Sequence, residues 1–300
     1  MPKEQQNSQA SDHDQRVKAN RTRSRLYTLT RFLFLGFFLV FLGTGIATGL
    51  RIYQDWRDAQ AFAGLNELVT EPTDGSAPTE NGMPELPSET VDFPIDETKP
   101  ESNDPQILAK YRKVYEMNQD MYGWISIDGM EFSYPVMYTP EDEDYYLRRG
   151  FDGGYARSGV PFISANCKPG SNHYIIYGHN MTNGTMFAQL FAYSEESYWK
   201  EHPVIHMSTL YKETEYEVLA AFYDRVYYTH EKVFKFYQFI NAENEEDFDY
   251  AIQQFKKKAL YDTGVTAEYG DHLITLVTCA YHADNGRFVV VARAKAEPEE

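Results

Sequence analysis

Residues 272–294 read HLITLVTC, AYHADNG and RFVVVARA: two runs rich in apolar and β-branched residues, joined by a short turn-like segment, Ala280–Gly286. Runs of this length and composition predict strands. The first ends at Cys279 and the second opens at Arg287, so pairing the two would bring a thiol and a guanidinium together. Working outward, similar runs recur at 121–127 (MYGWISI), 132–138 (FSYPVMY), 159–165 (GVPFISA), 173–178 (HYIIYG), 204–209 (VIHMST) and 216–223 (YEVLAAFY). Seven to eight short strands punctuated by Gly, Pro and Asp predict a mostly β domain, a largely antiparallel sheet closed into a barrel. Residues 107–119 carry apolar positions at helical spacing and predict an N-terminal helix. Two further helical insertions are expected, 186–199 and 245–260, the second before the cysteine strand.

The N-terminal third is organised differently. Residues 1–31 hold seven basic and three acidic residues, and 32–50 (FLFLGFFLVFLGTGIATGL) are nineteen positions without a charge, bracketed by Arg31 and Arg51. At a rise of about 1.5 Å per residue, that stretch just spans a hydrocarbon core. It is longer than a cleavable signal sequence needs, and Ala59-Gln60-Ala61 lies well beyond its end, so it reads as an uncleaved signal anchor. The basic flank places 1–31 in the cytoplasm and the remainder outside the cell. Residues 51–65 look helical; 66–104, with six prolines and eleven acidic residues against one lysine, read as an extended acidic spacer. Residues 51–104 thus connect a membrane segment to a globular domain at 105–300.

The whole chain carries a net charge of −17, of which the globular part holds −11. That balance excludes a phosphate-neutralising face and therefore a nucleic-acid partner. Two cysteines in 300 residues exclude a disulfide scaffold and a four-cysteine metal site. His202 and His206 sit in a strand-like run, and Cys279, His282 and Asp284 lack a second ligand cluster, so no metal is expected.

Cys279 lies where a strand meets a loop. It is either a small buried apolar side chain or a nucleophile, and a nucleophile needs a base and an oxyanion partner. His179 leaves the strand at 174–177 through Gly178 and can face a neighbouring strand end; His282, three residues after the cysteine, is the rival. Arg287 stays cationic and suits an oxyanion rather than a base.

Thr275-Leu276-Val277-Thr278-Cys279, an arginine opening the next strand, and Tyr177-Gly178-His179-Asn180 resemble the sortases, membrane-anchored cysteine transpeptidases of Gram-positive bacteria. The class B branch is the nearest, through Asn118–Ile125, Tyr134-Pro135-Val136, Ala259–Gly264 and the helix at about 245–258. The resemblance covers 105–295 and implies a sortase-like closed barrel without a cofactor. It implies that Cys279 attacks the carbonyl of a threonine in a C-terminal sorting signal of secreted proteins, forming a thioester. His179 would be the acid and base, and Arg287 would stabilise the oxyanion. An amine of a peptidoglycan precursor or of a pilin would then take the acyl group. Thr278 and Tyr177 resemble supporting substrate positions. Val277 stands where class B members often have Ser, and Glu143 near a position often held by Asn beside the substrate groove. Cys167 matches no family function and reads as an inert buried thiol.

Overall fold

The strand that carries Cys279 has almost no polar face because both of its sides are covered. In the computed structural model, which describes residues 3–70 (side chains from Thr30 onward) and 106–296, six of the seven residues of that strand are buried. Eight strands form among the described residues: β1 (Met121–Ile127), β2 (Phe132–Met137), β3 (Phe162–Ile163), β4 (His173–Tyr177), β5 (Val204–Thr209), β6 (Glu213–Arg225), β7 (Leu273–Cys279) and β8 (Gly286–Ala294). They close a barrel in the order β1-β2-β3-β4-β7-β8-β6-β5. Pairing is antiparallel except at β2/β3 and β4/β7. The expected mostly β, closed barrel is the architecture found, with β3 reduced to two residues just after Pro161, which has no N–H to give a ladder.

Two backbone positions are set by glycine or asparagine chemistry. A side chain at Gly123 would collide with the carbonyl of Ser208, so β1 and β5 approach only because none is there. Asn285 sits at φ 55° in the β7–β8 turn, a left-handed conformation that asparagine tolerates better than most residues.

Four α-helices are described. The first, α1 (Lys3–Thr70), runs through the apolar stretch, and the compact units of the chain divide at Arg57. Within the first unit, Phe32, Phe37 and Phe41 are 67%, 80% and 78% exposed, an apolar surface with no protein cover. Among the described residues this is the one helix long and apolar enough to cross a bilayer. Within the second unit, the last turns of α1 join the barrel. Phe62 and Leu65 are buried, and Phe62 meets Tyr134 edge to face at 5.2 Å. Asp58 Oδ2 accepts from Ser158 Oγ at 3.0 Å, and Asn66 Nδ2 donates to the Ser133 carbonyl at 3.1 Å. The globular unit therefore begins at Asp58 and not at 105, and 66–70, expected as spacer, are helical; positions 71–104 of that spacer lie outside the described residues.

α2 (Ala109–Met117) buries Tyr111 and Val114, with Tyr111 stacked on Trp124. The expected helix at 186–199 is instead a 3-10 segment, Phe187–Ser194, followed by the short α3 (Glu196–Glu201). Phe187, Leu190 and Tyr193 are fully buried and recur every third residue, the period of a 3-10 rather than an α-helix. α4 (Glu245–Lys258) buries Phe248, Ala251, Ile252 and Phe255 in one stripe. Asn244 caps it by accepting from the Asp247 amide, with acids in the first turn and lysines in the last.

Candidate active site

β8 is the reference strand of the site. Cys279 of β7 lies directly opposite Arg287 of β8. Opposed residues of an antiparallel pair project to one face with Cα atoms about 5 Å apart, so thiol and guanidinium are neighbours. On the other side of β7, the parallel pairing with β4 sets Tyr177 against Val277 and carries the chain past Gly178 to His179. A side chain at Gly178 would drive into the Phe187 ring, so the turn into His179 needs glycine.

These residues surround a cleft of about 480 Å³ lined by His179, Cys279 and Arg287 together with Tyr177, Val277, Thr278 and Glu143. The seven residues to which the resemblance gives a site position all line it. Cys279 is half-buried at the end of β7, and its carbonyl accepts from Asn180 Nδ2 at 2.8 Å. His179 Nε2 lies 2.7 Å from the Leu147 carbonyl. A carbonyl only accepts, so Nε2 carries the proton and the lone pair of the neutral ring is on Nδ1. Burial, reinforced by the Arg148 charge and opposed by the bond to Leu147, holds the imidazole below its ordinary value. Arg287 Nη1 donates to the carbonyls of Asn285 and Gly286, at 3.2 and 2.9 Å.

The supporting residues differ in what they offer. The Thr278 hydroxyl donates to the Gly178 carbonyl at 2.8 Å, tying β7 to the histidine turn. Val277 is 1% exposed and forms apolar floor. Burial first, then the Glu143 carboxylate, raise the Tyr177 phenol, while Arg287 pulls it down. His282 is exposed and packs on Tyr223, with ring centroids 5.0 Å apart, and it does not line the cleft. Cys167 is fully buried and accepts from the Ile175 amide, and burial pushes its thiol up to about 11.

Sequence reasoning missed the far wall. Val226, Phe236 and Tyr237, from the segment between β6 and α4, and Leu147, from the 3-10 turn Tyr145–Arg148, complete the cleft. The density of aromatics at 222–239 was the available sign. Asn180 was visible only as the residue after His179; its bond to the cysteine carbonyl is tertiary.

A closed eight-stranded barrel with a thiol, an imidazole and a guanidinium round one cleft defines a cysteine enzyme of β-barrel type. Residues 125–295 match the sortase domain, and the chain belongs to the sortase family of cysteine transpeptidases, in class B. Sortase B of Listeria monocytogenes is 31% identical over 194 residues, covering 62% of this chain and 74% of that one. The Staphylococcus aureus sortase B–substrate complex superposes with a TM-score of 0.56 at 26% identity, over 63% of this chain and 86% of that one. Sortase B from Bacillus anthracis in complex with AAEK1 shares the fold, with a TM-score of 0.62 at 22% identity, covering 81% and 98%.

Proposed function

We propose that this transpeptidase cleaves a threonine-containing C-terminal sorting signal of secreted proteins and transfers the acyl part to an amine. The observation that carries the reading is the opposition of Cys279 and Arg287 across β7 and β8, with His179 on the same cleft. The Cys279 sulfur attacks the threonine carbonyl as its proton passes to Nδ1 of His179. The resulting oxyanion is held by Arg287. Collapse breaks the carbonyl–nitrogen bond, His179 returns the proton to the leaving amine, and a thioester remains. An incoming amine, from a peptidoglycan precursor or a pilin subunit, loses a proton to His179, forms the new amide and releases the thiol. Tyr177, Val277, Thr278 and Glu143 shape the substrate side of the cleft. Residues 32–50 anchor the enzyme, with 1–31 cytoplasmic and the barrel outside, a placement supported by the exposed apolar helix and its basic flank.

The test is incubation with a library of threonine-containing peptides, with and without an amine acceptor, read by mass spectrometry. The wild type is expected to give a thioester adduct on Cys279 and, with acceptor, an amide product; Cys279→Ala gives neither. Hydrolysed product alone would make the chain an endopeptidase, and no adduct with any peptide would leave it an inactive wall scaffold.

A further inference from the structure

Arg287 has a second opposed neighbour. Across β6 and β8 it is paired with Asp224, so carboxylate, guanidinium and thiol form one row on the same face of the sheet. An arginine beside a buried carboxylate ordinarily forms a charge-assisted pair with it. Here it does not: among the described residues Nη1 donates to the carbonyls of Asn285 and Gly286, leaving the other guanidinium nitrogens uncommitted, and no acidic side chain pairs with the group.

The Asp224 carboxylate, 5% exposed, is already filled. Its Oδ2 accepts from Lys258 Nζ at 2.7 Å, and its Oδ1 from the Tyr227 hydroxyl at 2.6 Å and the Arg225 amide at 2.9 Å. Lys258 is the last residue of α4, and its Nζ also reaches the Tyr227 hydroxyl at 3.3 Å. Burial alone would lower this lysine, but Asp224 and Tyr227 outweigh it and hold the ammonium above its ordinary value, so it stays charged. The neighbouring Arg225 is itself committed to Glu231. Remove Lys258, and the cation directly opposite Asp224 on the sheet is Arg287.

We propose that Lys258 is a positioning residue: by occupying Asp224 it keeps Arg287 unpaired beside Cys279 and free for the oxyanion. This rests on the role given to Arg287 above, and it assigns the end of α4 an electrostatic task in catalysis.

The experiment is the pH profile of Cys279 alkylation by iodoacetamide in the full chain, followed by mass spectrometry, with the buried Cys167 as internal control. A neighbouring cation favours the thiolate, and losing it moves the profile upward. Lys258→Met is expected to shift the Cys279 profile up by about one pH unit. The same substitution in an Arg287→Gln background is expected to add no shift, because the effect acts through the arginine. Asp224→Asn added to Lys258→Met restores the original profile, and Lys258→Arg leaves it unchanged. Lys258→Gln, which fills the same space and still donates a hydrogen bond, repeats the upward shift if the methionine variant folds poorly. An equal shift with and without Arg287, or none in either, overturns the proposal. No shift from Arg287→Gln alone would instead overturn the reading of Arg287 at the thiol, a distinguishable result.

Discussion

The Nε2–H of His179 donates to the carbonyl of Leu147 across 2.7 Å, and this bond settles which nitrogen of the ring can take a proton. His179→Gln keeps a donor at the Nε2 position and deletes the base at Nδ1. It is expected to melt close to the wild type and to lose about 10²–10⁴-fold in kcat. Because burial holds the imidazole below 6.5, the acid limb of kcat/KM should fall below that value. Steady-state rates across pH with a peptide that passes the adduct test check both statements.

His173, fully buried on β4, sets an acid limit to stability. Its Nδ1–H donates to the Phe239 carbonyl, its Nε2 lies 2.6 Å from the Thr275 hydroxyl, and burial pushes it down to about 4. Above 6.5 the ring is neutral in both folded and unfolded chains, and the fold pays nothing for it. Between 6.5 and about 4 the unfolded chain binds a proton that the folded chain refuses, so stability falls as the pH drops through that window. The loss is about 3 kcal/mol. Urea titrations at pH 7.5 and 4.5 should show it, and His173→Gln should shrink the difference.

Gly178→Ala tests the turn that delivers the histidine. The added methyl would overlap the ring of Phe187, which is fully buried and has no room to retreat. Overpacking of this kind costs about 1–3 kcal/mol. Because the displaced backbone leads directly into His179, kcat/KM should drop more than the melting temperature alone accounts for.

Phe62→Ala probes the seam between α1 and the barrel. The ring is 8% exposed and packed on Tyr134. Its loss should cost about 3 kcal/mol, read as a lower urea midpoint, with kcat little changed because neither Phe62 nor Tyr134 lines the cleft.

How much of this was legible in the residues differs by element. The runs at 121–127, 132–138 and 272–279 announce their strands because burial on the sheet leaves them apolar or alternating. The α4 stripe and its Asn244 cap are equally local. The 186–199 segment departs from the expected helix because a three-residue spacing and a helical spacing share their first repeat. The end of α1 is hidden by proline and acid just beyond it, where Phe62, Leu65, Leu68 and Val69 form a docking face too short to stand out. His179 is favoured over His282 by its place after a strand and a glycine, whereas the Asp224–Lys258 pair, 34 positions apart, leaves no pattern at all.

The sequence by itself determined the uncharged apolar stretch, the strands and the closeness of Cys279 to Arg287, since a short turn between two strands sets their register locally. Only the tertiary structure brings His179 and not His282 to the cleft that Cys279 lines, and only it ties Lys258 to Asp224. The parallel pairing of β4 with β7 joins segments about a hundred residues apart, and Lys258 reaches Asp224 from a separate helix. Contacts of that range depend on how the whole barrel closes, and neighbouring residues carry no record of it.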